Sequence, residues 1–323
     1  MKTTTDYPAY TVVIRTLGKA GAKYLTTLRS AKEQDLPPAK ILVYIPHGYA
    51  LPPETVGMEE YVRCEKGMVT QRSLPFDEVE TEWMLFLDDD MYLPADTVRR
   101  YFDALRAESA DCITPNVFAN HRMAPLQKVR AALGGTLPHH DPRWAFKIRR
   151  SSAYSYNAAP RDVMPSQSGS FNCLLVSKRA YRAIRYADER WLDALGYALG
   201  DDQLFFYKLY RHGFKVLVHY ASGVKHLDAG SAGGKADPVR AAYIGGAIRY
   251  LLWWRTQYGC AATRGERWAC CLAYGTLTAV NLCTMSAAAL LKRRPAILVN
   301  YVRGMRAGRR FAHSPGGRSL PAY

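Results

Sequence analysis

The sequence predicts an α/β fold, a mostly parallel sheet flanked by helices, with a helical C-terminal extension. Three observations predict it. Short apolar runs of strand character alternate with helix-patterned segments as far as residue 230. One of these runs, Trp83 to Pro94 (WMLFLDDDMYLP), stops abruptly in Asp88, Asp89 and Asp90, and in open α/β sheets ligands collect beyond such strand ends. Past residue 236 the strand pattern gives way to long helix-like stretches. With 323 residues and 48% hydrophobic content, the chain can bury one α/β core plus an appendage.

The elements follow in order. Tyr10 to Thr16 (YTVVIRT) reads as an opening strand, Ala20 to Glu33 as a helix, and Ile41 to Ile45 as a second strand. Gly67 to Arg72 (GMVTQR) leads toward the strand that begins at Trp83. Asp88, Asp89 and Asp90 repel one another, and a divalent cation between them relieves that repulsion. The alternative is a solvated turn before a helix opening near Pro94-Ala95-Asp96. Residues 118–168 show weak periodicity and suit either a binding lid or a variable surface loop. Trp144, Phe146, Tyr154 and Tyr156 are candidates there for an acceptor pocket, with Arg143, Lys147, Arg149 and Arg150 for a phosphate. Gly169 to Val176 (GSFNCLLV) is strand-like. Asp201 and Asp202 open a helix with apolar Leu204, Phe205 and Leu209 on one side and a glycine stop at Gly213. One aspartate there is explained by capping, whereas two exceed what capping needs. The strand Phe214 to Val218 then leads to His226.

Taken in that order, these pieces resemble the bacterial family 2 of inverting nucleotide-sugar glycosyltransferases, over roughly residues 10 to 230. The resemblance implies a Rossmann-like GT-A fold. It implies that Asp88 to Asp90 stand for the family's Asp-x-Asp motif, Asp201-Asp202-Gln203-Leu204 for its acidic catalytic motif, and His226 for its metal histidine. Two departures stand out. The segment Tyr44-Ile45-Pro46-His47-Gly48 lacks the acid that usually contacts the nucleotide base, and Asp201 stands where the catalytic motif usually has Glu.

The chemistry assigns roles. Expulsion of a nucleotide diphosphate develops negative charge that Mn²⁺ or Mg²⁺ neutralises as a Lewis acid. Asp90 is the expected direct ligand, Asp88 a ligand or ribose contact, and His226 a nitrogen ligand that favours Mn²⁺ over Mg²⁺. Arg72 suits the diphosphate, because a guanidinium donates two parallel hydrogen bonds, or is simply solvated. Thr16 and Asp89 join the donor-binding set. Asp202 is the expected base toward the acceptor hydroxyl, and a single base opposite the leaving group inverts the anomeric centre. Asp201, Trp191, Asp193 and Trp144 complete the candidate list on the acceptor side.

Residues 1–235 are therefore expected to form the catalytic domain and 236–323 a basic helical region. The net charge is +16; thirteen Lys and Arg after residue 236 face only Asp237 and Glu266, placing +11 of it in this last part. No nucleic-acid motif accompanies the arginines, so an anionic membrane surface is the expected partner and nucleic acid is not. Tyr243 to Tyr258 suits either an interfacial helix, with Trp253, Trp254, Arg249 and Arg255 at headgroup level, or a helix packed on the catalytic domain. Trp268 to Leu291 is an uncharged run of 24 residues, better read as part of a hairpin lying on a membrane than as a single span. The end from Ser314 to Tyr323 reads as disordered. MKTTTDYPAY lacks a signal-peptide core, so the expected location is cytoplasmic, peripheral at the inner face of the cell membrane. The resemblance to bacterial surface-polysaccharide enzymes implies a lipid-linked saccharide among the acceptors and surface polysaccharide synthesis as the setting. Seven scattered cysteines indicate no zinc or disulfide framework. Two rivals stand beside this reading: a two-metal nucleotide polymerase, and an inactive membrane-associated scaffold with a glycosyltransferase fold.

Overall fold

The computed structural model describes residues 7–117, 123–196, 199–228 and 237–323. The expected boundary at 235/236 lies outside them. The chain runs β1 (Tyr10–Arg15), α1 (Ala22–Lys32), β2 (Lys40–Pro46), β3 (Glu59–Cys64), α2 (Met68–Arg72), β4 (Trp83–Asp88), β5 (Met91–Tyr92), α3 (Thr97–Glu108), β6 (Cys112–Pro115), α4 (Pro125–Leu133), β7 (Phe146–Ile148), β8 (Tyr154–Tyr156), β9 (Val163–Pro165), β10 (Cys173–Ser177) and α5 (Lys178–Ala183). A 3₁₀ segment, Tyr186–Leu195, precedes α6 (Asp201–Arg211), β11 (Val216–His219) and β12 (Lys225–His226). The extension comprises α7 (Pro238–Trp253), a π turn (Trp254–Tyr258), α8 (Arg264–Leu291), α9 (Ala296–Ala312) and α10 (Pro315–Arg318).

Eight strands form one sheet in the order β3-β2-β1-β4-β10-β6-β11-β9. It is parallel from β3 to β4 and between β6 and β11, with β10 antiparallel to both its neighbours and β9 antiparallel to β11. The central strands are apolar throughout because both faces are covered. Val13, Met84 and Phe86 pack into one core with α5 and α6. Val12, Ile14, Leu85 and Leu87 pack into the other with α1 and α3. The α/β fold with a mostly parallel sheet is thus the observed one.

Residues 123–168 are more ordered than their weak periodicity suggests. They build α4, the β7–β8 pair and the edge strand β9. These strands have only three residues each, too few to set up a readable alternation.

The extension packs on itself through glycines. A Cβ at Gly304 would run into the backbone oxygen of Tyr243, and one at Gly246 into that of Tyr301. Helices α7 and α9 therefore cross at backbone contact, which only glycine permits. Its attachment to the α/β part is buried, through Ile248 and Leu252 of α7 in the sheet's core and through an ionic cluster. Glu189, in the 3₁₀ segment, accepts from Arg255 at 2.6 Å, Lys208 of α6 at 3.3 Å and the Trp191 indole at 2.8 Å.

These contacts choose between two readings of Tyr243 to Tyr258 and correct the expectation of a disordered end. Trp253 is buried, donating to Cys270 O at 3.0 Å and stacking on Tyr274 at 4.5 Å, and Arg255 is buried against Glu189. Neither faces headgroups, so the packed-helix alternative holds for this pair. The end of the chain is ordered too. Ser314 caps α10, and the Tyr323 ring lies against Arg255 at 4.3 Å and Lys208 at 5.2 Å. A single aromatic docked between two cations overrides a Pro/Gly-rich local sequence.

Among the described residues one helix, α8, is long and apolar enough to cross a membrane. Its outer side exposes Trp268, Leu272, Leu290 and Leu291.

Candidate active site

Three consecutive carboxylates at the end of β4 face three different partners. Parallel pairing places Arg15 beside Asp88, and the Arg15 guanidinium donates to that carboxylate. Asp89 accepts from the Thr16 hydroxyl at 2.6 Å. Asp90 meets His226 Nε2 at 3.2 Å, because β12 pairs with β5 and so carries the histidine back over the turn. Burial raises the Asp89 carboxyl to about 6, with Thr16 opposing and the neighbouring aspartates adding to the rise. The hydrogen bond that His226 donates to Asp90 raises the imidazole, against its partial burial.

Arg72, the last residue of α2, ties these carboxylates to the start of α6. Its Nη1 donates to Asp202 at 2.6 Å and to Asp201, while Nη2 lies 3.8 Å from Asp88. Arg72 and Arg15 both lie over the Phe171 ring, at 4.6 and 5.1 Å. Burial works against the charge on Arg72, but Asp201, Asp202 and Asp88 outweigh it and keep the guanidinium protonated. Asp202 shifts the other way: burial raises its carboxyl to about 7, with Arg72 opposing and Asp201 and Asp88 adding. About a third of its side chain (31%) still opens to the cavity above. The buried Nε atoms of Arg15 and Arg72 have no hydrogen-bond partner among the described residues, so two N–H groups remain for an anion to fill.

Two cavities adjoin at Arg72, Met68 and Asp88. The smaller, about 280 Å³, is lined by Arg15, Thr16, Lys66, Asp89, Asp90 and His226. The larger, about 780 Å³, is floored by Asp201, Asp202 and Ser168 to Ser170, and walled by α4, α7 and α8. Thr16, Arg72, Asp88, Asp89, Asp90, His226, Asp201 and Asp202 therefore surround one continuous region.

The remaining candidates lie elsewhere. Asp193 accepts from the Val69 and Thr70 amides at 3.0 and 2.8 Å and from the Thr70 hydroxyl at 2.8 Å. It holds the first turn of α2, the helix that carries Arg72. Trp191 stacks on Phe311 at 5.1 Å, and Trp144 packs edge-on against Tyr210 at 5.5 Å. None of the three lines either cavity, whereas Phe146 and Tyr154 line the larger one. Arg143 and Lys147 pair with Asp141, each at 2.9 Å.

Sequence reasoning missed Arg15, Phe171 and the tail-borne wall of the larger cavity. A signal existed for Arg15, a charge closing an otherwise apolar strand.

Among the described residues no group of three or more His, Cys, Asp and Glu is arranged around one metal position. Asp90 and His226 nonetheless offer an oxygen and a nitrogen donor at one point. That pair fits an ion that completes its shell with phosphate oxygens and water.

No protein-family model and no curated protein sequence matches the chain. Among solved structures, it is similar to GalNAc-T7 crystallised with UDP, GalNAc and Mn²⁺, at 11% identity and a TM-score of 0.49. The similarity covers 86% of this chain and 56% of that one, so the chain spans little more than half the neighbour's length.

Proposed function

We propose that the protein is a metal-dependent glycosyltransferase of the GT-A type, which moves a sugar from a nucleotide-diphosphate donor to a hydroxyl of a saccharide acceptor with inversion. One observation carries this reading: Arg72 joins the Asp88 end of the small cavity to the Asp201–Asp202 floor of the large one. Residues from three separate stretches of sequence meet there.

In this reading the donor occupies the small cavity. The diphosphate meets the guanidiniums of Arg15 and Arg72, each of which keeps an unpaired N–H. A divalent cation held by Asp90 and His226, Mn²⁺ rather than Mg²⁺ given the nitrogen donor, would neutralise the charge that develops on the leaving group. Thr16 and Asp89 fix the turn that presents Asp90, and Asp88 holds the two guanidiniums in place. Asp202 takes the acceptor proton from the large cavity. Its raised carboxyl suits a base working near neutral pH. With the base on one side of the anomeric carbon and the diphosphate on the other, single displacement inverts the centre. Residues 1–235 act as the catalytic domain in this account.

Residues 236–323 would dock at an anionic membrane. The exposed apolar side of α8 and its flanking Arg264, Arg267, Lys292, Arg293 and Arg294 support that, and a lipid-linked saccharide is the acceptor such docking would serve. Nucleotide release from a matched donor, with proton NMR of the product anomer, tests the activity. Retention would exclude Asp202 as base in a single displacement, and absence of any turnover in folded protein would favour an inactive scaffold.

A further inference from the structure

The larger cavity is built by the extension as much as by the catalytic part. Gly245, Ile248, Arg249 and Leu252 follow one face of α7, Leu277 and Asn281 one face of α8, and Gln127, Arg130 and Ala131 one face of α4. Three helices thus roof the Asp202 floor. The helical side of the lining carries apolar Ile248, Leu252 and Leu277, and, apart from Arg72 at the floor, two further guanidiniums, Arg130 and Arg249, stand at its exposed rim.

Those guanidiniums have no acidic counterpart. Among the described residues neither Arg130 nor Arg249 forms a salt bridge; Arg130 donates only to the side-chain oxygen of Asn281, at 3.0 Å. Asn281 is itself buried at 2% exposure, so Arg130 is held by a fixed partner rather than left loose in solvent. Arg130 and Arg249 line the same cavity, which places α4 and α7 charges in one neighbourhood. Two unpaired guanidiniums beside a cavity attract a compact anion, most strongly one that both can hydrogen-bond.

Apolar surface continues from the same place. Leu126, Val129 and Leu133 follow an exposed stripe on α4, and Tyr154 and Leu199, which line the cavity, are themselves half-exposed. Exposed apolar side chains beside an anion site suit a ligand with both characters.

We propose that this cavity is an acceptor subsite for an anionic amphiphile: Arg130 and Arg249 hold a phosphate on the acceptor, and its apolar part lies along Ile248, Leu252 and Leu277 toward the α4 stripe. The inference rests on the transferase reading for the word acceptor, but the anion subsite itself does not depend on turnover.

The test is binding to the full chain by calorimetry, with decyl phosphate below its micellar concentration, decyl maltoside and inorganic phosphate as probes. Decyl phosphate is expected to bind at least about tenfold more tightly than either comparator, and R130Q and R249Q are each expected to weaken it by about tenfold. R318Q, a change on α10 outside the cavity, serves as the charge control and is expected to leave decyl phosphate binding unchanged. Equal binding of inorganic phosphate and decyl phosphate, both weakened by R130Q and R249Q, would support the anion site but overturn the amphiphile. Decyl phosphate binding that is undetectable, matched by decyl maltoside, or indifferent to both substitutions would overturn the proposal. Mn²⁺-dependent stabilisation of wild type by UDP and GDP, measured in parallel, reports separately on the donor site, so failure there counts against the transferase reading and not against the anion subsite.

Discussion

Replacing Glu189 by Gln removes one charge from a site where three side chains depend on it. The Glu189 side chain is fully buried, and those of Lys208 and Arg255 are 3% and 5% exposed. With the carboxylate gone, Arg255, at 2.6 Å, remains as a buried cation without a counter-charge, while Lys208, at 3.3 Å, keeps only Asp188 at 3.8 Å; breaking a buried pair in this way costs about 3–5 kcal/mol. Glutamine keeps the volume and one acceptor oxygen, so the loss isolates the charge. Urea unfolding followed by far-UV circular dichroism measures it. The pH dependence gives a second, independent signature. Burial opposes ionisation of Glu189, but Arg255 and Lys208 hold its folded carboxyl below the ordinary value. The contribution is therefore complete above the unfolded carboxylate value of about 4.3 and is lost as pH falls through the lower folded value. The stability gap between wild type and E189Q should accordingly be constant from neutral pH down to about 5 and close below about 4. A loss under about 1 kcal/mol at pH 7, the range of exposed pairs, would refute the buried ionic attachment of the extension.

Asp202→Asn is expected to cut turnover by about 10²- to 10⁴-fold with donor affinity nearly unchanged; near-normal turnover would remove Asp202 as base. Because burial raises that carboxyl to about 7 and the base works ionised, wild-type kcat/KM should fall as pH drops below about 7. A pH profile flat down to 5 would contradict this. Arg15→Gln, which withdraws one of the two guanidiniums with an unpaired N–H, should weaken binding of a Mn²⁺–nucleoside diphosphate by about tenfold in calorimetry. Gly304→Val pushes a side chain into the Tyr243 backbone and should cost about 1–3 kcal/mol in thermal unfolding.

The α/β fold was legible because the core strands are short, mostly apolar runs, a pattern that burial on both faces imposes. Asp88, Asp90, Asp202 and His226 could be brought together from sequence because each stands at the end or start of an element. Arg15 could not, since its task follows from lying in register with Asp88 on a neighbouring strand. Trp191 and Asp193 mislead for the opposite reason: nearness to Asp201 in sequence suggests a shared site, yet Asp193 reaches back 124 residues to hold α2. In the extension, composition does not separate a Trp–Arg face at a membrane from one packed on Glu189, a partner 66 residues away from Arg255. The glycines at 246, 304 and 308 carried a readable signal of close helix contact.

The central claim is that the Asp88–Asp90 turn, His226 and Arg72 form a metal-dependent nucleotide-sugar site. Thermal melting of wild type and Asp90→Ala with a panel of nucleotide-diphosphate sugars, with and without Mn²⁺, tests it most directly. The account predicts a melting shift with one donor that requires Mn²⁺ and disappears in the variant. Folded wild-type protein that responds to no donor, or a shift that persists in Asp90→Ala, would contradict it.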